Sequence, residues 1–201
     1  MAAFDPRATL LARNAGLWDG HFLQLDGAAD GEAVERDRFP SRLLVEERQG
    51  LINADLTNLT SGVVRSMRFA DPPPEMQIHP DGHWSLGPDR IGAWPWVSEL
   101  CLTLGDRRRR AVVRLEGERL ISAVLVLEAR PGVEVPLPPP LRLPRLQEAG
   151  CWLWRSDDLE LRAAAGWVEL QWQHQPDDSV RLRRAYSPYG VLDPLEGMAG
   201  P

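Results

Sequence analysis

The sequence predicts an all-β fold, an antiparallel barrel of about ten strands with a short N-terminal helix. Three observations carry this. After Gly16 the apolar residues recur with period two, the spacing of half-buried strands. Turn-forming pairs break that pattern every ~8–12 residues, the rhythm of sandwiches and barrels. Closure into a barrel also removes the exposed edges that so many strands would otherwise present.

Asp5 followed by Pro6 reads as a helix N-cap and first-turn residue. Asp accepts from orphan amides, and Pro lacks the N–H that would be orphaned. Leu10 and Leu11 give that helix an apolar face, and Gly16 stops it. Residues 18–25, 42–48, 52–59 and 63–69 then read as strands separated by Asp26-Gly27, Gln49-Gly50 and Ser61-Gly62. His79-Pro80-Asp81-Gly82-His83 reads as a hairpin tip between residues 76–78 and 84–86. Residues 97–104, 110–115 and 119–128 follow, joined by Gly105-Asp106 and Glu116-Gly117-Glu118, which are short enough to imply antiparallel neighbours.

Six of the fourteen residues from 131 to 144 are proline, favouring an extended semi-rigid connector. Beyond it, residues 151–155, 159–162, 167–174 and 179–186 form another meander. The expected organisation is a main barrel over 1–130, the Pro-rich connector 131–144, C-terminal strands 145–190 closing or extending the barrel, and a fraying tail 191–201.

The chain has 201 residues, 43% hydrophobic and 26% charged, and all 23 of its basic residues are arginine. Without lysine, a Walker phosphate loop, a Schiff base and amine-based covalent catalysis are excluded. Arginine-only cations suit fixed anion binding and stacking on aromatics, and eight tryptophans are present to stack on. A GC-rich coding sequence, in keeping with the many Ala, Gly and Pro residues, would equally replace lysine. The net charge of −6 argues against a nucleic-acid partner. The longest apolar stretch, 120–127, is far short of the ~20 residues a membrane helix needs, so no membrane span is expected. No signal peptide opens the chain and two cysteines make no disulfide framework, so a cytoplasmic protein with reduced thiols is expected.

Gly16-Leu17-Trp18, led into by a short helix, resembles the Gly-x-Trp signature that opens the lipocalins and the wider calycin superfamily. That resemblance implies that Trp18 plugs the closed end of the barrel and that a late-strand arginine lies across its ring. Arg181, Arg183 and Arg184 are the candidates. Residues 16–22, 81–88 and 94–99, and the late 181–186 with Gly190, are similar to a calycin-like, mainly cyanobacterial family of unknown function. The S-type phycobilin lyases resemble the same barrel, an analogy at the level of fold.

Trp84, Trp94 and Trp96 with Arg65, Arg68 and Arg90 are the candidate ligand-binding residues. In an open barrel mouth, rigid aromatic faces and fixed cations would hold an apolar or tetrapyrrole-like molecule with carboxylate arms, such as a bilin or an oxidised lipid. The same tryptophans could instead fill the core. Arg107, Arg108, Arg109 and Arg110 follow a hairpin turn, where adjacent cations want water or an acidic partner protein. His79 and His83 flank a turn that contains Asp81 and have no evident third close ligand for a metal, and His21 with Asp19 and Glu46 lacks a nucleophile or oxyanion device. No catalytic residue, cofactor or metal is therefore assigned. The leading expectation is a ligand-binding barrel, with a bilin lyase or other chromophore-processing enzyme, or an assembly factor, as alternatives.

Overall fold

In the computed structural model, which describes residues 4–195, Asp5 caps helix α1 (Pro6–Asn14) by accepting a hydrogen bond from the Ala8 amide at 3.0 Å. Gly16, at φ +102°, turns the chain straight into the first strand. Nine antiparallel strands follow before the Pro-rich segment. They are β1 (Gly16–Gly27), β2 (Ala33–Arg48), β3 (Leu51–Asn58), β4 (Val64–Phe69), β5 (Gln77–Ile78), β6 (Trp84–Leu86), β7 (Trp96–Leu104), β8 (Arg107–Glu116) and β9 (Arg119–Ala129). They pair in the order β4-β3-β2-β1-β9-β8-β7-β6-β5, and a two-residue strand β10 (Arg142–Leu143) adds to β2. The fold is all-β and barrel-like, as the periodicity predicts. Its sheet curls without the two ends, β4 and β5, pairing with each other.

Strand β2 begins nine residues before the predicted start at 42. Residues 33–41 carry Glu35, Arg36, Asp37, Arg38 and Pro40, a composition that reads as a loop. The structure explains the tolerance: β3 pairs β2 only from Ser41 onward, so most of this stretch forms an edge where charges and a donor-less proline cost little.

The strands after residue 145 do not close the barrel. β11 (Leu146–Glu148), β12 (Cys151–Arg155), β13 (Leu159–Ala164), β14 (Trp167–Gln175) and β15 (Asp178–Ala185) form a separate five-stranded meander that packs on the convex face of β6, β7 and β8. The cause is visible in β7–β9, whose convex positions are as apolar as a core. Leu100, Leu102, Ala111, Val113, Leu125 and Leu127 face Trp154, Leu161, Leu170, Trp172 and Leu182 of the second sheet. A second cluster fills the concave side under α1, from Leu10 and Trp18 to Leu43, Ile52 and Trp84.

The Pro-rich connector is strapped down. The Pro138 carbonyl accepts from Arg38 Nη1 at 2.8 Å, and the Leu141 amide donates to Glu35 Oε2 at 2.9 Å. Residues 191–195 do not fray either: Leu192 donates to the Asp89 carbonyl at 2.8 Å, and Leu195 packs on the inter-sheet core. The rest of the predicted tail, 196–201, lies outside the described residues. No helix among the described residues is long and apolar enough to cross a membrane.

Gly20 lets β1 and β9 approach at the barrel floor: a Cβ there would lie 2.2 Å from the Leu127 carbonyl oxygen and 2.7 Å from Glu128 Cγ. Gly20→Ala is expected to cost ~2 kcal/mol or more through overpacking. By thermal denaturation that is a Tm lower by roughly 4–8 °C.

Candidate functional site

Asn14, the last residue of α1, joins five elements at the closed end of the curl. Its Oδ1 accepts from Trp84 Nε1 at 3.1 Å and Thr103 Oγ1 at 3.3 Å, with Arg108 Nη1 at 3.5 Å. Its Nδ2 donates to the Gly82 carbonyl at 3.1 Å, and its own carbonyl accepts from Trp18 Nε1 at 2.9 Å. Trp18 is fully buried beneath two guanidiniums, Arg130 at 3.8 Å and Arg108 at 4.3 Å from the ring centroid. Gly16 makes room for Arg130, since a Cβ there would lie 2.6 Å from its Nη1.

The inward residues of neighbouring strands fall into register rows, and the buried charges follow from them. One row runs Ser41, Gly20, Glu128, Arg108, Thr103; the next runs Phe39, Phe22, Val126, Arg110, Cys101, Trp84. Glu128 therefore lies beside two arginines. It accepts from Arg108 Nε at 2.9 Å and, through both oxygens, from Arg110 Nε at 3.0 Å and Nη2 at 3.1 Å. Arg110 Nη1 donates to Glu99 at 2.6 Å. Burial opposes charge on Glu128, yet Arg108 and Arg110 hold its carboxyl below the usual carboxylate range. Burial likewise opposes charge on Arg110, and Glu128 and Glu99 hold its pKa above the ordinary value. Burial pushes the neighbouring Cys101 thiol up to about 12, so it is a packed thiol and no nucleophile at neutral pH.

Above this floor the concave face forms a trough of two chambers. The inner one, about 430 Å3, is walled by Leu43, Val45, Ile52, Phe69, Met76 and Trp84, with Arg108, Arg110 and Glu99 at its base. The outer one, about 400 Å3, is more polar, with Gln24, Asp37, Asn58 and Ser61 beside Phe39. Phe22, Leu56, Arg65 and Val112 line both and mark their junction. Each volume falls within the roughly 300–1,000 Å3 of small-molecule sites.

Of the six residues expected to bind ligand, the structure brings two to this trough, Trp84 and Arg65. Trp96 faces the other way, into the inter-sheet core, edge-on to Tyr186 at 5.3 Å. Trp94 stands exposed before β7. Arg68 is three residues from Arg65 and so lies on the opposite face of β4, while exposed Arg90 bridges to Val191.

Gly16 and Trp18 lie beside the end of α1, beneath Arg108 and Arg130, and Arg183 and Arg184 do not reach them. Their strand, β15, belongs to the second sheet and never adjoins β1. Arg183 stacks on Trp167 at 4.1 Å and pairs with Glu169. Arg184 donates to the carbonyls of Glu75, Gly87 and Pro88 and to the Tyr186 hydroxyl. The expected solvated run 107–110 is likewise corrected: it opens β8, and Arg108, Arg109 and Arg110 are buried, leaving Arg107 alone exposed. His83 turns inward to accept from the Thr103 amide at 3.1 Å, and Asp19 is held by Arg42.

A larger crevice, about 660 Å3, lies on the convex side between the connector and the second sheet, lined by Pro136, Pro138, Arg109, Trp172 and His174. Its buried cation is committed: Arg109 stacks on Trp172 at 4.8 Å and pairs with Asp158 at 3.1 Å. Each site has one arginine with no carboxylate within 4.0 Å among the described residues, Arg65 in the trough and Arg107 in the crevice; Arg107 shares its lining with Asp157 and Asp158, whereas the acid of the inner chamber, Glu99, is taken up by Arg110, so the trough is the better candidate for an anionic ligand.

No protein-family model matches the sequence, and no curated protein does. Among solved structures, the chain is similar to a protein of unknown function of the DUF3598 family from Nostoc punctiforme. The TM-score is 0.71 at 16% identity, covering 94% of this chain and 96% of that one. The likeness is one of fold.

Two outcomes are expected at the floor. Glu128→Gln leaves two buried guanidiniums short of a carboxylate and is expected to cost ~3–5 kcal/mol, read by urea denaturation. Burial lowers the His83 pKa, so this residue favours folding fully above its unfolded value, and that stability is lost as pH falls through the lower folded value. Tm is expected to drop from pH 7.5 to 5, and His83→Asn, which keeps a neutral acceptor, is expected to shrink the drop.

Proposed function

We propose that the protein is a binding barrel that holds an apolar, carboxylate-bearing molecule in its concave trough. A tetrapyrrole-like or lipid-like body would lie against Trp84 and Phe22, its acid toward Arg65, in a cytoplasmic protein whose two cysteines stay reduced. The observation that supports this most is the pairing of a chamber closed at one end and apolar on its walls with an uncompensated guanidinium at its boundary. Arginine is an effective carboxylate donor because its planar fork can give two parallel hydrogen bonds.

A chromophore-processing reaction would need a nucleophile or a proton-transfer group in the trough. The acid lining the inner chamber, Glu99, is tied to Arg110 at 2.6 Å, and beneath the lining the thiol of Cys101 is held protonated and the carboxylate of Glu128 is held ionised, so none of the three is poised for that work. Docking of an acidic partner has one exposed arginine left to use in the run 107–110.

Titration with a bilin, a carotenoid and a fatty acid, followed by tryptophan fluorescence, tests the reading. Saturable quenching by at least one of them, largely lost in Trp84→Phe, is expected. Unchanged spectra with all three, or quenching that survives Trp84→Phe intact, would overturn it.

A further inference from the structure

Resting on that reading, we infer that the trough takes a single-chain amphiphile with one carboxylate, apolar end first, and discriminates against molecules with two acid groups, tetrapyrroles with paired propionates included. The charges facing the ligand carry this. The ionic residues lining the two chambers are Arg65, Glu99, Arg108, Arg110 and Asp37. Arg108 and Arg110 are compensated by Glu128 and Glu99 through contacts of 2.6–3.1 Å, so the floor offers no net charge to an incoming anion. Arg65 is the one lining cation without a carboxylate within 4.0 Å among the described residues, and it can neutralise one.

A second carboxylate finds no second unpaired cation in the lining. Inward it would meet apolar walls and a floor already neutral, and an ion left unpaired in such surroundings is costly. Outward it would meet Asp37, which lines the outer chamber only. The direction of insertion follows from the same lining. From Arg65, strand β4 runs past Met67 to Phe69 along the inner chamber, roughly 13 Å at the strand rise. Walls there are aliphatic and aromatic, whereas Gln24, Asn58 and Ser61 lie on the outer side of the junction. Two groups in the floor row lack a partner, the Ser41 hydroxyl and Nη2 of Arg108. Neither sets a charge requirement, since a hydroxyl is neutral and the Arg108 guanidinium already pairs with Glu128.

The test is a set of fluorescence titrations with dodecanoic acid, 1-dodecanol, dodecanedioic acid and biliverdin on the wild-type chain, Arg65→Ala and Asp37→Asn. Arg65 and Asp37 are both exposed, so neither change threatens the fold, and circular dichroism confirms this. The monoacid is expected to bind about tenfold tighter than the alcohol and the diacid, one charge-assisted contact being worth about that factor. Arg65→Ala should bring the acid down to the level of the alcohol without changing the alcohol. Asp37→Asn should raise the affinity for the diacid severalfold and leave the monoacid unchanged. Equal binding of acid and alcohol, or a diacid or biliverdin that binds as tightly as the monoacid, overturns the inference while leaving a ligand-binding trough in place. Failure of all four to bind overturns both.

Discussion

Glu128 lies fully buried between Arg108 and Arg110, and the concave face is organised around that contact. An ion pair in a protein interior seldom adds stability over a well-packed apolar replacement, because desolvating the charges offsets their attraction. Its effect here is geometric. Arg108 is held over Trp18 and beside Asn14, which ties helix α1 to β6 and β7, while Arg110 is turned to Glu99. The end of the curl is thus closed by groups whose hydrogen bonds permit few alternative arrangements. The chamber above them keeps a floor of neutral net charge.

The second constraint is a sheet that is apolar on both sides. Strands β7 to β9 alternate between residues that line the trough and residues that pack on β14 and β15, so both faces must be covered. The C-terminal meander covers one. Helix α1 covers part of the other, and what it leaves uncovered is the trough. This division explains why eight tryptophans do not make one aromatic site: Trp154, Trp172 and Trp96 serve the inter-sheet core, and Trp18 and Trp84 serve the concave one.

Period-two patterning and turn chemistry make the all-β class, the antiparallel order of β7 to β9 and the short capped helix legible in the sequence. Which strands become neighbours is not. The cations over Trp18 come from β8 and from the residue after β9, because β9 pairs with β1 and β8 with β9, while the late arginines sit in another sheet. The run 107–110 illustrates a related failure. Four adjacent arginines read as solvated, yet in a strand alternate members point to opposite faces, so Arg108 and Arg110 meet Glu128 while Arg109 meets Asp158 and Trp172. A signal is present in the sequence: Glu128, an acid directly after the apolar run 123–127, needs a cationic neighbour. Arg65 and Trp84 follow from composition alone, whereas Arg68 and Trp96 are lost to strand parity.

Where a bound ligand sits decides between the trough and the convex crevice, and photolabelling answers it directly. A dodecanoic acid carrying a diazirine at its methyl end would be bound, irradiated, and its crosslinked peptides located by mass spectrometry. Labels are predicted on the inner chamber, at Leu10, Ile52, Phe69, Met76 or Trp84. Labels concentrated on the convex crevice, at Pro136, Pro138 or Trp172, would contradict the assignment of the trough as the binding site.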